Sequence, residues 1–400
     1  MKPTFRPVLC LASICLLPIA AQAQLLGPFT VHVGTSLEHD SNVLRAPSDQ
    51  ERADTIGTLS LGLKGDKQYG LQRFRANVEA TKYRYQHLSE LNYSTVNYSA
   101  AWDFQVTPRL QGVLSADRTQ YRDVSRFVDL KGVEQAGGTG GRTERTELLE
   151  ARYRVDGPWR VLGGVLHTST SMRDARRDFQ NPWDASPTVR SVRVGVGYEY
   201  ASGTEFAARV RRGNGDYRDP QAVAGGSVNF RENEAELTAK WPVTAKTRVD
   251  GRIAYLERLH SANSALNFSG PVGDATVTYD VTPKTGLVGG VATELYSYQL
   301  GAPGYIRSNR FYVKPIYKPT VQTQLSVRYV RETRSRHGAP LATADNGQQD
   351  VSQWLLGAVN WNPRRNIDIS GSVGFERRNS SFAAFGYRNT TVGAAVAYSF

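Results

Sequence analysis

The chain has 400 residues, a formal net charge of +12, and a negative mean hydropathy of −0.44 despite 20 tyrosines and 14 phenylalanines. This length supports at least one sizeable core, and the basic balance favours acidic partners such as anionic glycans or lipid headgroups. Beyond the N-terminal region, no apolar stretch approaches the length of a membrane-spanning helix, which excludes a helical membrane protein.

The N-terminus carries the three parts of a secretory signal peptide. Lys2 and Arg6 form a short basic region, residues 8–17 (VLCLASICLL) are apolar, and residues 21–23 (AQA) supply a small-x-small cleavage pattern. We therefore expect a cleaved signal peptide over 1–23 and a single domain over 24–400. Both cysteines lie inside the signal peptide, so the mature chain has no thiol or disulfide chemistry. Nucleic acid is not an expected partner of an exported protein.

Alternation of apolar and polar residues recurs from residue 29 to the end of the chain. It is clearest in segments 73–81 (RFRANVEAT), 96–104 (VNYSAAWDF), 324–332 (QLSVRYVRE) and 366–376 (NIDISGSVGFE). Successive side chains of a strand point to opposite faces, so each segment has one apolar face and one polar face. Their length of about 9–11 residues is what a tilted strand needs to cross a bilayer.

The connections between these segments alternate between short and long. The short ones are rich in Pro and Gly and lie at 64–70, 106–110, 155–159, 200–204, 242–247, 280–285, 318–323 and 362–366. The longer polar ones lie at about 40–54, 86–91, 122–143, 171–187, 213–230, 260–270, 299–308, 335–350 and 378–388. Eight turns and nine loops predict 18 strands, with 16 as the alternative.

This asymmetry is typical of an all-β transmembrane antiparallel β-barrel with short periplasmic turns and longer extracellular loops. A soluble β-sandwich array or propeller would show fold-specific repeats, and a parallel β-helix would lack alternating loop lengths. We therefore expect a barrel in the outer membrane of a Gram-negative bacterium, surrounded by membrane lipid and lipopolysaccharide.

Charged residues inside the predicted strands indicate which face is the lumen. A charge facing lipid near the midplane costs about 2–4 kcal/mol, so alternation assigns these residues to the interior. The candidate basic residues are Arg75, Arg152, Arg154, Arg193, Arg209, Arg211, Arg252 and Arg328. The acidic ones are Glu79, Asp103, Asp117, Glu150, Glu199, Asp250, Asp368 and Glu376. Two interpretations stay open: an ion-pair lattice that stiffens the wall, or an arginine-lined conduit for anionic or hydroxyl-rich solutes.

No residue pattern indicates an enzyme, a cofactor or a metal site. The six histidines show no metal-ligand spacing and no pairing with a nucleophile, and most are expected to be solvated near strand ends. The Gly-rich segment 137–141 (GGTGG) lacks the strand–helix context and the Lys-Ser/Thr of a phosphate-binding loop. A flexible loop explains it better.

The C-terminal residues "GAAVAYSF" (393–400) alternate to the last position. Tyr398 and Phe400 share one face of a final strand, and a terminal aromatic residue resembles the signal read by the barrel assembly machinery. Arginines in the predicted loops are candidates for contact with lipopolysaccharide at the outer rim. They are Arg122, Arg126, Arg142, Arg173, Arg176 and Arg177.

From about residue 29, the chain resembles the EpsL-type outer-membrane β-barrel proteins of exosortase-associated exopolysaccharide biosynthesis clusters. The segments that carry the resemblance are 36–45 (SLEHDSNVLR), 82–108 (KYRYQHLSELNYSTVNYSAAWDFQVTP), 112–123 (GVLSADRTQYRD) and 195–217 (GVGYEYASGTEFAARVRRGNGDY). The resemblance implies participation in the assembly or export of a secreted polysaccharide. It also implies cooperation with periplasmic and inner-membrane synthesis proteins, and it brings no catalytic residues.

The expected function is therefore a conduit or outer-membrane component for an exopolysaccharide. The alternatives are a general or solute-selective porin and a closed structural or adhesive barrel.

Overall fold

A computed structural model of the protein describes residues 28–122, 141–172, 187–217, 229–261, 264, 267–297, 305–337 and 347–400. The predicted signal peptide, Gly137 to Gly140 and the loop arginines Arg126, Arg173, Arg176 and Arg177 lie outside these residues. Within the described part of the chain, no helix is long and apolar enough to cross a membrane.

The described residues form 18 strands and two single 3₁₀ turns, at Ser89–Leu91 and Ala383–Phe385. The strands are β1 Phe29–Asp40, β2 Asp54–Tyr69, β3 Gln72–Tyr85, β4 Tyr93–Gln105, β5 Leu110–Arg122, β6 Gly141–Arg154, β7 Trp159–Met172, β8 Pro187–Glu199, β9 Glu205–Tyr217, β10 Asn229–Pro242, β11 Thr247–His260, β12 Phe268–Thr282, β13 Thr285–Ser297, β14 Tyr305–Tyr317, β15 Thr323–His337, β16 Gln349–Arg364, β17 Ile367–Ser380 and β18 Tyr387–Ser399.

Each strand pairs antiparallel with the next along the chain, and β1 pairs with β18 to close the barrel. At this seam Leu37 lies opposite Ala394, and the backbone N–H of Phe400 donates to the carbonyl of Val31 at 2.8 Å. Full closure removes the unpaired edges that an open sheet would expose. The prediction of 18 strands is confirmed, and the alternative of 16 is wrong.

The outer surface of the barrel is apolar, as a lipid-facing surface must be. Val194, Val210, Leu237 and Ile253, on four adjacent strands, all point outward, and Ile253 is 73% exposed. Exposed aromatic residues ring the end of the barrel that carries the short turns, here called the short-turn end. They are Phe29, Tyr69, Phe74, Trp102, Tyr153, Trp159, Tyr200, Phe206, Trp241, Tyr279, Tyr317 and Trp361. Most of the exposed aromatic residues belong to this girdle.

The short turns lie close to their predicted positions, with one clear exception. The prediction of a turn over 64–70 is wrong, because β2 continues to Tyr69 and pairs with both β1 and β3. Lys64 and Asp66 are polar because they occupy inward positions of the strand. The chain reverses only at Gly70, where φ is +58°, a backbone conformation that glycine adopts without strain.

Candidate functional site

The inner wall of the barrel carries the charged residues. Alternation along the strands places all eight candidate arginines and all eight candidate carboxylates on the face opposite the apolar outer surface. Arg209 and Arg211, for example, flank the outward-facing Val210, which is 56% exposed. Because side chains alternate along a strand, the sixteen candidates share the inward face.

The first part of the charged wall centres on Glu150 of β6. Its carboxylate lies 2.6 Å from the guanidinium of Arg193, 3.2 Å from that of Arg152 and 3.8 Å from that of Arg209. Glu150 is only 4% exposed. One buried carboxylate therefore receives three arginines from three different strands.

The same chain of contacts continues across β9, β10 and β11. Arg209 lies 3.3 Å from Glu236 and also donates to the hydroxyl of Thr238 at 3.2 Å. Arg252 reaches back from β11 and contacts Glu236 at 2.8 Å and Glu234 at 2.5 Å. Each of these glutamates thus bridges arginines of two flanking strands.

The chain of contacts ends at two further arginines. Arg211 lies 2.8 Å from Glu234 and 3.1 Å from Glu232, and Arg258 lies 2.5 Å from Glu232. The guanidinium of Arg258 also lies over the rings of Phe230 and Phe268, at 4.3 and 5.0 Å from their centroids. We call the whole connected set the arginine ladder: Arg152, Arg193, Arg209, Arg211, Arg252 and Arg258 with Glu150, Glu232, Glu234 and Glu236. Its formal net charge is +2.

Some hydrogen-bond donors of the arginine ladder are not used within the network. Within the described part of the chain, the buried Nε atoms of Arg193 and Arg209 have no hydrogen-bond partner, although Nε of Arg209 lies 3.8 Å from the Glu150 carboxylate. Both arginines line an inner-wall cavity of about 440 Å³, together with Arg152 and Arg252. The ladder therefore combines internal pairing with an excess of positive charge that faces the interior.

Two glycines make room for these arginines. A Cβ at Gly195 would lie 2.3 Å from the carbonyl oxygen of Ala208 and 2.7 Å from Cγ of Arg209. A Cβ at Gly164 would lie 2.6 Å from the carbonyl oxygen of Leu149. Glycine at these inward positions lets the guanidinium groups lie flat against the backbone of the wall.

The remaining candidate arginines lie outside the ladder. Arg75 makes a two-pronged pair with Asp103, with both N–O distances at 2.9 Å, near the short-turn end. Arg328 lies over the ring of Tyr312, 5.3 Å from its centroid. Arg154 is exposed at the end of β6.

Sequence reasoning missed four of the ten residues of the ladder: Glu232, Glu234, Glu236 and Arg258. The signal was present in the segment 232–236 (ENEAE), where three glutamates stand at every second position. Counted with the alternation rule, all three belong to one face of β10. Arg258 follows from the same rule on β11.

The predicted loop 40–54 is an ordered structure that folds against the barrel seam. Asn42 is completely buried, and its side-chain nitrogen donates to the carbonyls of Ala46 and Arg388 at 2.7 and 3.0 Å. Arg45 donates to Asp40 at 2.8 Å and to Glu376 at 2.9 Å. Although burial alone would lower it, the pKa of Arg45 is raised by the nearby Glu376 and Asp40 carboxylates.

Three expectations about individual residues need correction. Arg142 was expected in a loop at the rim, but it lies in β6, is 7% exposed and pairs with Glu144 at 2.6 Å. Arg122 was expected in a loop at the rim, but it is the last residue of β5, and its side chain lines a cavity of the inner wall. His260 was grouped with the solvated histidines, but it is 8% exposed and lies beside the ring of Phe230. In each case the strand extends further than the polar sequence suggests, so the side chain turns inward.

Chemistry other than charge is sparse in the described part of the chain. No group of three or more His, Cys, Asp or Glu residues there has the geometry to hold a metal ion. Tyr398 and Phe400 form an edge-to-face pair with centroids 4.7 Å apart at the end of β18.

Comparison with known proteins identifies the fold. No family profile and no curated protein matches the sequence. Among solved structures, the chain is similar to OpdK of Pseudomonas aeruginosa, solved with vanillate, at 10% identity and a TM-score of 0.50, over 94% of this chain and 99% of that one. It is also similar to OccK2 (OpdF) of the same organism, solved with glucuronate, at 11% identity and a TM-score of 0.49, over 93% and 97%.

At 10% identity, the similarity to OpdK establishes the fold alone. The fold is an outer-membrane β-barrel of the porin type, and the apolar outer surface of this chain agrees with it. The described residues accordingly have the fold of an outer-membrane β-barrel.

Proposed function

We propose that the protein is an outer-membrane channel that passes small hydrophilic solutes and favours anions. The observation that carries the proposal is the arginine ladder, in which six arginines and four glutamates form one connected network on the inner wall. Rings or rows of arginine on a pore wall select for anions, because the excess positive potential raises their local concentration.

The geometry favours a conduit over a purely structural lattice. A lattice that only stiffens the wall is best served by equal numbers of opposite charges, each fully hydrogen-bonded. The ladder instead has an excess of +2 and leaves Nε of Arg193 and Nε of Arg209 without a hydrogen bond to any described residue. A carboxylate passing along the wall would accept hydrogen bonds from such donors, and guanidinium groups suit carboxylates well.

The proposal is tested by liposome swelling with a matched series of solutes. Vanillate is the anion, since it was bound in the solved structure of OpdK; vanillyl alcohol and vanillylamine are its neutral and cationic counterparts. We expect vanillate to enter fastest, and the double variant Arg193→Gln/Arg209→Gln to lose that preference. Arg212→Gln is the matched control, because Arg212 lies on the same strand as Arg211 but on the outer face. Equal entry of all three solutes into wild-type liposomes would refute the proposal.

A second candidate function is participation in exopolysaccharide assembly or export, as the resemblance to EpsL-type proteins implies. The observation that favours it is the resembling segment 82–108, which supplies the tyrosines Tyr83, Tyr85 and Tyr93 to the inner wall. Extended sugar chains commonly move along aromatic and hydrogen-bonding side chains. In this proposal the partners are the polysaccharide and the periplasmic and inner-membrane synthesis proteins.

The second candidate is tested by a clean deletion in the native host, with secreted and cell-retained polysaccharide measured against a complemented strain. Loss of secreted polymer with trapped material would support it. Unchanged secretion would refute the export function and leave the anion-favouring channel as the proposed function.

A further inference from the structure

A second cavity lies on a different part of the inner wall from the arginine ladder. Its volume is about 490 Å³, and it is formed by β1 to β5, the start of the first loop and β18. This volume falls within the range of about 300–1,000 Å³ that is typical of small-molecule sites. We call it the loop-side cavity.

Aromatic rings form one side of the loop-side cavity. Tyr83 and Tyr93, directly opposite each other on β3 and β4, stack with centroids 4.3 Å apart and planes 2° apart. Tyr85 is buried against Val43 of the first loop. The result is a rigid aromatic wall fixed by the strand pairing. Stacking covers one face of each ring, so an outer face of the pair is what can receive the apolar face of a ring-shaped ligand.

The polar groups of the loop-side cavity divide into paired and available ones. Asp40 is paired with Arg45 at 2.8 Å, and Glu79 with His32 at 3.2 Å. No hydrogen bond and no ion pair within 4 Å joins the carboxylate of Glu38 to another described residue, although the charges of Asp40 and Arg45 lie near it. Nε and Nη1 of Arg122 are likewise buried without a hydrogen-bond partner, while its guanidinium lies 5.3 Å from the ring centroid of Tyr85.

The available groups are therefore one strong acceptor and one strong donor in the same cavity. An anionic ligand would pair with Arg122 but would be repelled by Glu38. A cationic ligand would pair with Glu38 but would be repelled by Arg122. A hydroxyl group both donates and accepts, so a ligand with several hydroxyls satisfies both side chains without adding charge. Ser36, Thr58 and Thr81 add neutral hydroxyls to the lining.

From this arrangement we propose that the loop-side cavity binds an uncharged, polyhydroxylated ring: a neutral saccharide unit. Its apolar ring face lies on the Tyr83–Tyr93 wall, and its hydroxyls donate to Glu38 and accept from Arg122. The site is separate from the ladder that supports anion passage. Its physiological role rests on the second candidate function, participation in exopolysaccharide assembly or export. The inference adds to that candidate that the recognised sugar is neutral.

Binding is tested by isothermal titration calorimetry on the full chain in detergent, which does not depend on conductance or on secretion. The probes are maltotriose as the neutral sugar, trigalacturonate as the anion and the trimer of glucosamine as the cation. We expect maltotriose to bind more tightly than the other two. Glu38→Gln and Arg122→Gln should each weaken maltotriose binding by about tenfold or more, since each removes charge-assisted hydrogen bonds.

Tyr312→Ala is the matched control, because Tyr312 is an inward-facing tyrosine of β14 beneath Arg328. It should leave the affinity for maltotriose unchanged. Absence of maltotriose binding to a folded wild-type barrel would overturn the inference, as would tighter binding of either charged trimer. Unchanged affinity in both the Glu38 and Arg122 variants would also overturn it, because binding would then lie elsewhere.

Discussion

Asn42 and Asn389 join the first loop to the last strand across the barrel seam. The side-chain oxygen of Asn389 accepts hydrogen bonds from the backbone N–H of Asn42 at 2.9 Å and from the hydroxyl of Ser41 at 3.0 Å. The Ser41 hydroxyl also accepts from the backbone N–H of Thr390 at 2.8 Å. The seam between β1 and β18 is therefore extended by side-chain hydrogen bonds beyond Asp40, the last residue of β1.

We predict that Asn42→Ala loosens this seam. The substitution removes two donated bonds and one accepted bond of a completely buried side chain, which leaves their backbone partners unsatisfied. We expect the free energy of unfolding to fall by about 2–4 kcal/mol. On gels of samples preheated to increasing temperatures, the folded band should disappear at a lower temperature than in wild type. Asn77→Ala is the control, since Asn77 is an exposed residue of β3. Equal melting temperatures for the two variants would contradict the role of Asn42.

Substitution of Glu234 separates the two interpretations of the arginine ladder. Glu234 lies between Arg211 and Arg252, so Glu234→Gln leaves both arginines with one charged partner fewer. Loss of one partner from a buried ion pair costs about 3–5 kcal/mol when the charge is left uncompensated; the second glutamate held by each arginine should reduce this cost. We expect a modest loss of thermal stability together with a stronger preference for anions in planar bilayers. A stability loss with unchanged ion preference would support a purely structural lattice.

The glycine at position 195 is predicted to be necessary for the ladder. In Gly195→Ala, the new methyl group would meet the backbone carbonyl of Ala208, so β8 and β9 must move apart. We expect a destabilisation of about 1–3 kcal/mol and reduced anion preference, because Arg209 is displaced. Gly163→Ala is the control, since nothing lies within 4 Å of a Cβ there. The account of Gly195 fails if both variants behave like wild type.

The terminal aromatic residue is predicted to act in assembly. Phe400→Ser should lower the amount of folded barrel in the outer membrane while total expression stays constant, because the signal for the assembly machinery is lost. Phe29→Ser is a matched control, since Phe29 is an exposed aromatic residue of β1 at the same end of the barrel. The expected result is normal assembly for Phe29→Ser only. Normal assembly of Phe400→Ser would count against the predicted signal.

Much of the fold follows from the sequence, because a transmembrane strand has a simple two-residue period. The alternation in 96–104 and 366–376 gives the strands and their faces, and the contrast between short and long connections gives their number. The inward direction of Arg209 and Arg252 follows from the same rule. Strand ends are less accurate: β2 continues through residues 64–69, where Lys64, Asp66 and Gln68 occupy the inward positions.

The contacts between strands could not be read from the sequence. Which glutamate meets Arg211 depends on register, and Glu234 lies opposite it only because β9 and β10 pair in that alignment. The burial of Asn42 depends on β18, which is more than 340 residues away in the chain. From the sequence alone, the Asp-x-Asn triplet at 40–42 predicts only a turn. Its hydrogen bonds to β18 become visible only in the closed barrel.

The most direct test of the proposed channel is the reversal potential of the wild-type protein in a planar bilayer under a potassium chloride gradient. An excess of arginine along the wall predicts that chloride is more permeant than potassium, and that Arg193→Gln/Arg209→Gln moves the potential toward zero while Arg212→Gln does not. A wild-type channel that conducts but prefers potassium, or a folded barrel that does not conduct at all, would contradict the account.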